Sequence, residues 1–279
     1  MGTLYLIATP LGNLEDITLR AARILRQVDV VAAESRQRAG VLLRHLGIIP
    51  RRLMSCREAN RKRAAEMICA CLDQEQAVAL ISDAGSPGLN DPAAAMVRRV
   101  AAAGHTVSPI PGPSAVAAAW SVAGIDHAPF VVLGFLPAKS GPRQRLLRQC
   151  HDLGWPLVFF EAPHRLRASA ADLAAFMPDR RLVLCREMSK LHEQILHLTC
   201  AELPARLETD PNLTKGELTL VVEGGAPAPA SGQISGSLAQ MVSISQGMGA
   251  SQLAAFLAKN HQMPREALYR EILALKNRD

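Results

Sequence analysis

The sequence lacks the features that would place it in a membrane or in the common nucleotide-binding families. Its longest largely apolar run, Ala115 to Ile125, is too short to cross a bilayer. The N-terminus has no charged segment followed by a leader-like stretch, so we expect a cytoplasmic protein that is complete as given. GxGxxG is absent and no Walker lysine follows any glycine loop, so standard phosphate-loop and dinucleotide sites lack support.

Cysteine spacing and aromatic content exclude two further classes. The six cysteines form no CxxC pair and no Cys/His ligand spacing, so no metal site is expected. A chain of 279 residues does not need disulfides, and we therefore expect free, buried thiols. Aromatic residues make up only 4% of the chain, which argues against a stacking platform for single-stranded nucleic acid.

What the sequence does contain is typical of a globular, basic protein. Hydrophobic residues make up 49% and charged residues 20% of a chain long enough for two domains. The net charge of +6 suits a polyanionic partner, although the charge alone is a weak signal. Basic side chains cluster between Arg51 and Arg63, between Arg143 and Arg148, and at Arg165 and Arg167. Each cluster alone fits a solvated face, whereas all three together favour a surface that contacts phosphates.

Short apolar runs alternate with helical patterns over the first 225 residues, which predicts an α/β protein. Strands are predicted at 4–8, 28–33, 77–82, 106–109, 130–135, 157–161, 182–186, 195–199 and 217–223. Amphipathic helices are predicted at 18–27, 64–75, 92–103 and 165–176. The alternation favours parallel strands in the first half. The run 195–199 follows its predecessor without room for a helical crossover, so the later strands are expected to be partly antiparallel.

The C-terminal part differs in composition. Residues 224–236 are rich in Gly, Ala, Pro and Ser and are typical of a linker. Three short helices are predicted beyond it, at 237–245, 251–259 and 264–276, with Ser251 as the cap of the second. This layout predicts a compact helix-turn-helix-like bundle.

Four loops that follow predicted strands are rich in Gly, Pro and small residues. They are residues 8–14, 82–88, 109–115 and 160–165. Open α/β sheets bind ligands at the carboxyl ends of their strands, and small residues let a ligand approach the backbone. Ordinary turn chemistry is the better explanation of each loop when it is taken alone. Together they are compatible with a cofactor held by backbone groups and apolar walls.

Six segments carry a resemblance to a known family. In chain order they are LYLIATPLGNLEDITLRAARIL, LISDAGSPGLNDP, IPGPSA, GFLP, FFEAPHRL and KGELTLVV. They resemble the ribosomal RNA small subunit methyltransferase I family (RsmI), which belongs to the tetrapyrrole-methylase-like superfamily. The resemblance covers residues 3–224, and the C-terminal bundle resembles that family's helix-turn-helix appendage.

The resemblance implies two α/β domains of the tetrapyrrole methylase type, residues 1–115 and 116–224, followed by a linker at 225–236 and a helical module at 237–279. It also implies that S-adenosyl-L-methionine binds in the cleft between the domains, usually in a homodimer. The implied reaction is 2′-O-methylation of a cytidine ribose in the decoding region of small-subunit (16S) rRNA, with the small ribosomal subunit as partner. The residues that would contact the cofactor are Pro10, Gly12, Asp83, Ala84, Gly85, Pro87, Ser114, Ala115, Phe160, Glu161, Ala162, Leu184, Lys215, Gly216 and Glu217.

Methyl transfer to a ribose hydroxyl benefits from a general base. The candidates for a base or an orienting group are Glu34, Asp83, Glu161, Glu187 and Lys190. Structural alternatives stay open for four of them. Glu34 could cap a helix that starts near Arg36, Glu161 could stabilise a helix N-terminus, and Glu187 and Lys190 could belong to a solvated turn. The candidate phosphate contacts are Arg36, Arg57, Arg61 and Arg165.

The chain departs from the family pattern in two segments. Where the family has a stretch close to AEDTR, this chain has Ala33-Glu34-Ser35-Arg36, and the family's Tyr-His-Glu-His-Asn is replaced by residues 56–60, CREAN. Both segments belong to the half of the cleft expected to face RNA. Two other functions remain compatible with the sequence: another methyltransferase of the superfamily, acting on a tetrapyrrole or a protein side chain, and a non-catalytic RNA-binding or ribosome-assembly protein.

Overall fold

Two five-stranded sheets organise the first 225 residues of the computed structural model. The structure describes residues 2–89, 91–126, 129–225, 249–261 and 264–276. Over these ranges no helix is both long enough and apolar enough to span a membrane.

The first sheet is entirely parallel. Its strands are β1 (Thr3–Ile7), β2 (Val30–Ala33), β3 (Arg52–Ser55), β4 (Val78–Ile81) and β5 (Thr106–Ile110), in the order β3-β2-β4-β1-β5. The connecting helices are α1 (Leu19–Gln27), α2 (Arg36–His45), α3 (Arg61–Asp73) and α4 (Ala93–Ala102). The prediction of parallel strands in the first half is confirmed.

Both faces of this sheet are covered. Successive strand residues point to opposite faces, so Leu4 and Val30 pack with α3 and α4, whereas Ile7 and Val31 pack with α1 and α2. A parallel sheet buried on both faces needs near-continuous apolar strands, which explains why β2 and β4 are buried at every position.

The second sheet is mixed, as predicted. Its strands are β6 (Val131–Phe135), β7 (Leu157–Glu161), β8 (Arg181–Arg186), β9 (Gln194–Thr199) and β10 (Leu218–Val222), in the order β6-β7-β10-β8-β9. Only β6 and β7 pair in parallel, and the other three pairings are antiparallel. Helix α5 (Ala115–Ala123) covers one face, and α6 (Ser140–Leu153), α7 (Leu166–Phe176) and α8 (Leu203–Thr209) cover the other.

Two helices, Ala250–His261 and Arg265–Lys276, form the C-terminal helix pair. Leu253, Leu257, Leu268 and Ile272 bury one another in a separate core that also contacts Trp155 of the second domain. Two of the three predicted C-terminal helices are thus confirmed. The third, 237–245, and the linker from residue 226 onward lie outside the described residues. The prediction of Ser251 as a cap is wrong, because the helix begins at Ala250 and the Ser251 hydroxyl instead accepts a hydrogen bond from Arg265.

Several elements escaped prediction. Strand β3 has four residues and starts with an exposed arginine, so it lacks an apolar signature. Helix α6 carries many polar side chains, and α5 is nearly all apolar, so neither shows a clear amphipathic period. The six cysteines are all free and buried, as expected.

Candidate functional site

Three loops meet at the carboxyl edge of the first sheet because β4, β1 and β5 are neighbours there. Thr9 and Gly85 exchange both backbone hydrogen bonds, each at 2.9 Å. The Ser86 hydroxyl donates to the carbonyl of Pro113 at 3.1 Å, which ties the second loop to the third. Gly85 has a φ of +76°, a left-handed conformation that favours glycine. The floor of the site is therefore a cross-linked set of three backbone loops.

The apolar cavity, of about 360 Å³, opens beside these loops and is lined by both domains. Nine of the predicted cofactor contacts line it: Ala84, Gly85, Ser114, Ala115, Phe160, Glu161, Ala162, Gly216 and Glu217. Among the described residues of its lining, none is Lys or Arg. Residues spread over 130 positions of sequence thus converge on one concave, largely apolar space.

The charged cavity, of about 300 Å³, adjoins the apolar cavity and faces α2. It contains Pro10, Gly12 and Asp83, three further predicted contacts, together with the cations Arg38 and Lys190. Leu11, Ala84 and Glu217 line both cavities and so separate them.

A third cavity, of about 480 Å³, lies where α5 meets the loop after β8. It shares Leu11, Ser114 and Met188 with the apolar cavity. Its ionisable lining residues are Asp16 and Glu193, and no Lys or Arg stands among the described residues around it.

Three predicted cofactor contacts, Pro87, Leu184 and Lys215, line none of these three cavities. Leu184 is fully buried in the core of the second domain, where its side chain packs with α7 and α8. Lys215 is exposed and donates a hydrogen bond to the Asn212 amide oxygen at 3.1 Å.

Lys190 is held by two carboxylates where the two domains meet. Its Nζ lies 2.9 Å from Glu187 Oε1 and 3.2 Å from Glu217 Oε2. A Cβ placed on Gly12 would overlap the Lys190 stem, so the lysine crosses the backbone of the first domain at a glycine.

These contacts determine the charge states of Lys190 and Glu187. Burial favours the neutral amine, but the hydrogen bonds and charges of Glu187 and Glu217 outweigh it and raise the pKa of Lys190. Burial alone would likewise raise the pKa of Glu187, yet hydrogen bonds from Lys190 and from the Glu217 N–H lower it. Lys190 is therefore an ammonium near neutral pH, a form that cannot accept a proton.

The loop after β8 is strained. Glu187 and Ser189 have φ values of 50° and 63°, uncommon for residues with side chains. The Ser189 hydroxyl accepts a hydrogen bond from the backbone N–H of Asn13 at 3.3 Å, a second link between the domains. Such strain persists where neighbouring contacts impose it, as they do here.

Buried Arg186 stabilises the loop after β8 through hydrogen bonds from its guanidinium. Its Nε donates to the Lys215 carbonyl at 2.8 Å, and its NH1 donates to the carbonyl of His192 and the amide oxygen of Gln194, both at 3.0 Å. One guanidinium thus joins the turn before β10 to the loop after β8. Sequence reasoning missed Arg186, because its importance depends on loops that are distant in sequence.

Glu34 and Asp83 lie close together at the ends of β2 and β4. Partial burial and then the neighbouring charges of Asp83 and Asp91 raise the pKa of Glu34. Asp83 accepts a hydrogen bond from the Ser35 N–H at 2.9 Å. The cap of α2 is Ser35, whose hydroxyl accepts from Arg38 N–H, so Glu34 does not play that part.

Glu161 is buried and fully engaged. One oxygen accepts from the Ala162 N–H at 2.7 Å, and the other is hydrogen-bonded to the Ser169 hydroxyl of α7. This arrangement matches the structural alternative, in which the carboxylate fixes the entry into the following helix.

The predicted phosphate contacts divide between the domains. Arg36, Arg57 and Arg61 are exposed at the carboxyl edge of the first sheet, the edge that carries the charged cavity. Arg165 ends a short 3-10 helix after β7 in the second domain. Arg38 lines the charged cavity itself and was not predicted. No group of three or more His, Cys, Asp or Glu side chains that could hold a metal occurs in the described part of the chain.

Comparison with known proteins shows which family model and which relatives the chain matches. Residues 3–204 match the model of the tetrapyrrole (corrin/porphyrin) methylases. Ribosomal RNA small subunit methyltransferase I of Neisseria meningitidis serogroup B is 40% identical over 277 residues, covering 99% of this chain and 95% of that protein.

Two solved structures share the fold at low sequence identity. Diphthine synthase superposes with a TM-score of 0.63 at 15% identity, over 80% of this chain and 90% of that one. Uroporphyrin-III C-methyltransferase from Thermus thermophilus, complexed with S-adenyl homocysteine, gives a TM-score of 0.55 at 18% identity, over 79% and 97%.

Proposed function

The chain belongs to the ribosomal RNA small subunit methyltransferase I family, within the tetrapyrrole methylases, and from this premise we propose that it methylates RNA of the small ribosomal subunit. The proposed donor is S-adenosyl-L-methionine. The proposed acceptor is the 2′-oxygen of a cytidine ribose in the decoding region of 16S rRNA. The enzyme acts in the cytoplasm as a homodimer.

The observation that carries this proposal is the convergence in the apolar cavity. Nine of the residues that the family resemblance assigns to the cofactor line a single space that both domains enclose. Such convergence is expected of a ligand site and is not required of a chain that only binds RNA through its surface.

The residues present fit the donor. Small side chains at Ala84, Gly85 and Ala115 leave backbone groups accessible, and Phe160 supplies an apolar wall. When bound, S-adenosylmethionine supplies an activated methyl group on a positively charged sulfur. A lining without Lys or Arg among the described residues suits that charge.

Elimination leaves Glu34 and Asp83, of which only Asp83 lines one of the three cavities, so we assign Asp83 as the group that faces the acceptor hydroxyl. Lys190 stays charged, Glu187 is a weak base because its pKa is lowered, and both oxygens of Glu161 are engaged. Asp83 lines the charged cavity and can accept the proton that the hydroxyl loses. Glu34, with its raised pKa, lies next to it as a second acceptor.

The test is methyl transfer to small ribosomal subunits that lack the modification, using S-adenosylmethionine labelled with tritium and nuclease mapping of the product. Label on one ribose in the decoding region is the expected result. Binding of S-adenosylhomocysteine without transfer to any RNA would instead favour a superfamily member with another acceptor. The absence of both binding and transfer would favour a non-catalytic RNA-binding protein.

Substitutions of two alanines on one helix test where the donor binds. Ala115 lines the apolar cavity, whereas Ala117, on the same helix, is exposed and lines none of the three cavities. We expect Ala115→Trp to abolish S-adenosylhomocysteine binding and Ala117→Trp to leave it within twofold of the wild type. Equal binding by the two variants would contradict the proposed donor site.

A further inference from the structure

The three cavities differ in the charge of the residues that line them. The apolar and third cavities contain carboxylates and no Lys or Arg among their described lining residues. The charged cavity alone among the three includes cations, Arg38 and Lys190. A ribose within RNA is flanked by phosphodiesters, so the negative acceptor and the cationic donor suit different cavities.

The two cations of the charged cavity are not equivalent. Lys190 is only 26% exposed and is neutralised by Glu187 and Glu217 at 2.9 and 3.2 Å. The Arg38 side chain is 60% exposed, and its Nε lies 3.6 Å from Asp83 Oδ2, too long for a good hydrogen bond. A guanidinium has five N–H donors and matches phosphate oxygens bidentately, so Arg38 retains most of its capacity for an anion.

The position of the charged cavity also fits an acceptor. It shares Leu11, Ala84 and Glu217 with the apolar cavity, so a group in one is next to a group in the other. Leu11, Leu42 and the half-exposed Val41 give it apolar walls. A cavity of about 300 Å³ suits one small ligand, and enzymes that modify nucleotides commonly unstack the target into such a pocket.

We infer that the charged cavity is an acceptor chamber for one unstacked nucleotide, in which Arg38 binds the phosphate next to the target ribose while Asp83 faces the ribose hydroxyl. This inference rests on the proposed function, because it assumes that the acceptor is RNA and that the donor occupies the apolar cavity. It assigns to Arg38 a positioning role that the sequence motifs did not indicate.

Two matched valines test the chamber. Val41 lines the charged cavity and is 49% exposed, whereas Val122 lines the third cavity and is 41% exposed. We expect Val41→Trp to lower methyl transfer to small subunits at least a hundredfold while S-adenosylhomocysteine binding stays within twofold, and Val122→Trp to leave both unchanged. Blocked transfer in Val122→Trp with an active Val41→Trp would move the acceptor to the third cavity and overturn the inference.

Two arginines of α2 test the phosphate contact without relying on catalysis. Arg38→Ala is compared with Arg44→Ala, since Arg44 is exposed on the last turn of the same helix and outside the cavity. Filter binding of small subunits is measured from 50 to 200 mM salt. We expect Arg38→Ala alone to weaken binding about tenfold and to reduce the slope of log affinity against log salt by about 0.7 to 0.9, the value of one phosphate contact.

The outcomes separate the two proposals. A wild-type protein that binds small subunits but transfers no methyl group contradicts the proposed function, while the comparison of Arg38→Ala with Arg44→Ala still decides the phosphate contact. Equal binding by these two variants, or full transfer by Val41→Trp, overturns the acceptor chamber even if the wild type is an active methyltransferase.

Discussion

At the scale of single residues, Lys190 of the second domain lies against Gly12 of the first. The lysine reaches from the second domain across a glycine of the first, and two carboxylates of its own domain hold the ammonium. Any side chain at Gly12 must displace the lysine stem and weaken those ion pairs. Position 12 therefore requires glycine, because the Lys190 side chain crosses the backbone there.

This contact predicts energetic coupling between the two positions. We expect Gly12→Ala to destabilise the protein, and Gly12→Ala combined with Lys190→Ala to cost less than the sum of the single changes by about 1 kcal/mol or more, measured by urea unfolding. Gly40→Ala serves as the control, because a Cβ there meets nothing within 4 Å and α2 gains helix propensity. Additive single-variant effects would refute the coupling.

Glu187 predicts a pH dependence of stability. Because its pKa is lower in the folded protein than in the unfolded chain, its contribution is present above the ordinary carboxyl pKa of 4.5 and is lost as the pH falls through the folded value. At pH 7 we expect Glu187→Gln to cost about 2 kcal/mol, the scale of hydrogen bonds to a charged group.

The cost of Glu187→Gln should shrink in urea titrations well below pH 4.5, where the wild-type carboxylate is itself protonated. Glu66→Gln, a change at an exposed position of α3, should show no such trend. A cost that is independent of pH would mean that the substitution acts through packing instead.

Single residues also mark the limit of what the sequence predicts. The small residues of the strand-end loops were identifiable because four such loops follow strands and carry the segments that resemble the family, although turn chemistry accounts for any one of them. Arg38 and Arg186 were not, since an arginine in a helix or at a strand end is usually solvated and only tertiary contacts distinguish these two. Asp83 was expected both beside the cofactor and as a candidate base, and it lines the charged cavity, which adjoins the apolar one.

At the scale of elements, strand β8 has a buried arginine at each end. Arg186, its last residue, holds the turn before β10 and the loop after β8, which both line the cavities. Arg180, just before its first residue, donates to the His151 carbonyl at 2.9 Å at the opposite end of the strand. Arg186 and Arg180 are 9% and 8% exposed as residues, a close match in burial.

Substitutions of these two arginines separate an effect on donor binding from an effect on stability. We expect Arg186→Met and Arg180→Met to lower the melting temperature similarly, because each removes a buried guanidinium together with the hydrogen bonds that it donates. Only Arg186→Met should raise the dissociation constant of S-adenosylhomocysteine, by about tenfold in calorimetry, with Arg186→Lys recovering part of the loss. Parallel losses of donor affinity in both methionine variants would argue for a general loss of folding.

Element prediction succeeded where the hydrophobic period was clear. The four helices and nine strands predicted within the first 225 residues all occur, with ends shifted by up to three residues. Strand β3 escaped because only one of its four residues is buried, and its place at the sheet edge depends on its pairing with β2. The sequence order of strands cannot reveal that β10 inserts between β7 and β8.

At the scale of the whole molecule, exposed arginines of the first domain lie at both edges of its sheet. Arg57 and Arg61 lie at the carboxyl edge of the first sheet near the charged cavity, whereas Arg98 and Arg99 end α4 at the opposite edge. RNA docked over the cavity would contact only the first pair. The net charge of +6 therefore matters through its distribution.

The salt dependence of subunit binding tests that distribution. We expect Arg57→Ala with Arg61→Ala to reduce the slope of log affinity against log salt by about 1.4 to 1.8, the value of two phosphate contacts, and to weaken binding uniformly. The matched double variant at Arg98 and Arg99 removes the same charge and should leave the slope unchanged. Equal changes in the two double variants would point to net charge alone.

The buried cysteines give each domain an internal chemical reporter. Cys56, Cys69 and Cys71 lie in the first domain, and the other three lie in the second, at positions 150, 185 and 200. Burial raises the pKa of Cys56, Cys185 and Cys200 to about 12, so an alkylating reagent near neutral pH meets almost no thiolate until the surrounding core opens. Mass spectrometry after a brief pulse of iodoacetamide in dilute urea then counts opened domains: labels gained in threes mark domains that open separately, and six gained together mark one cooperative unit.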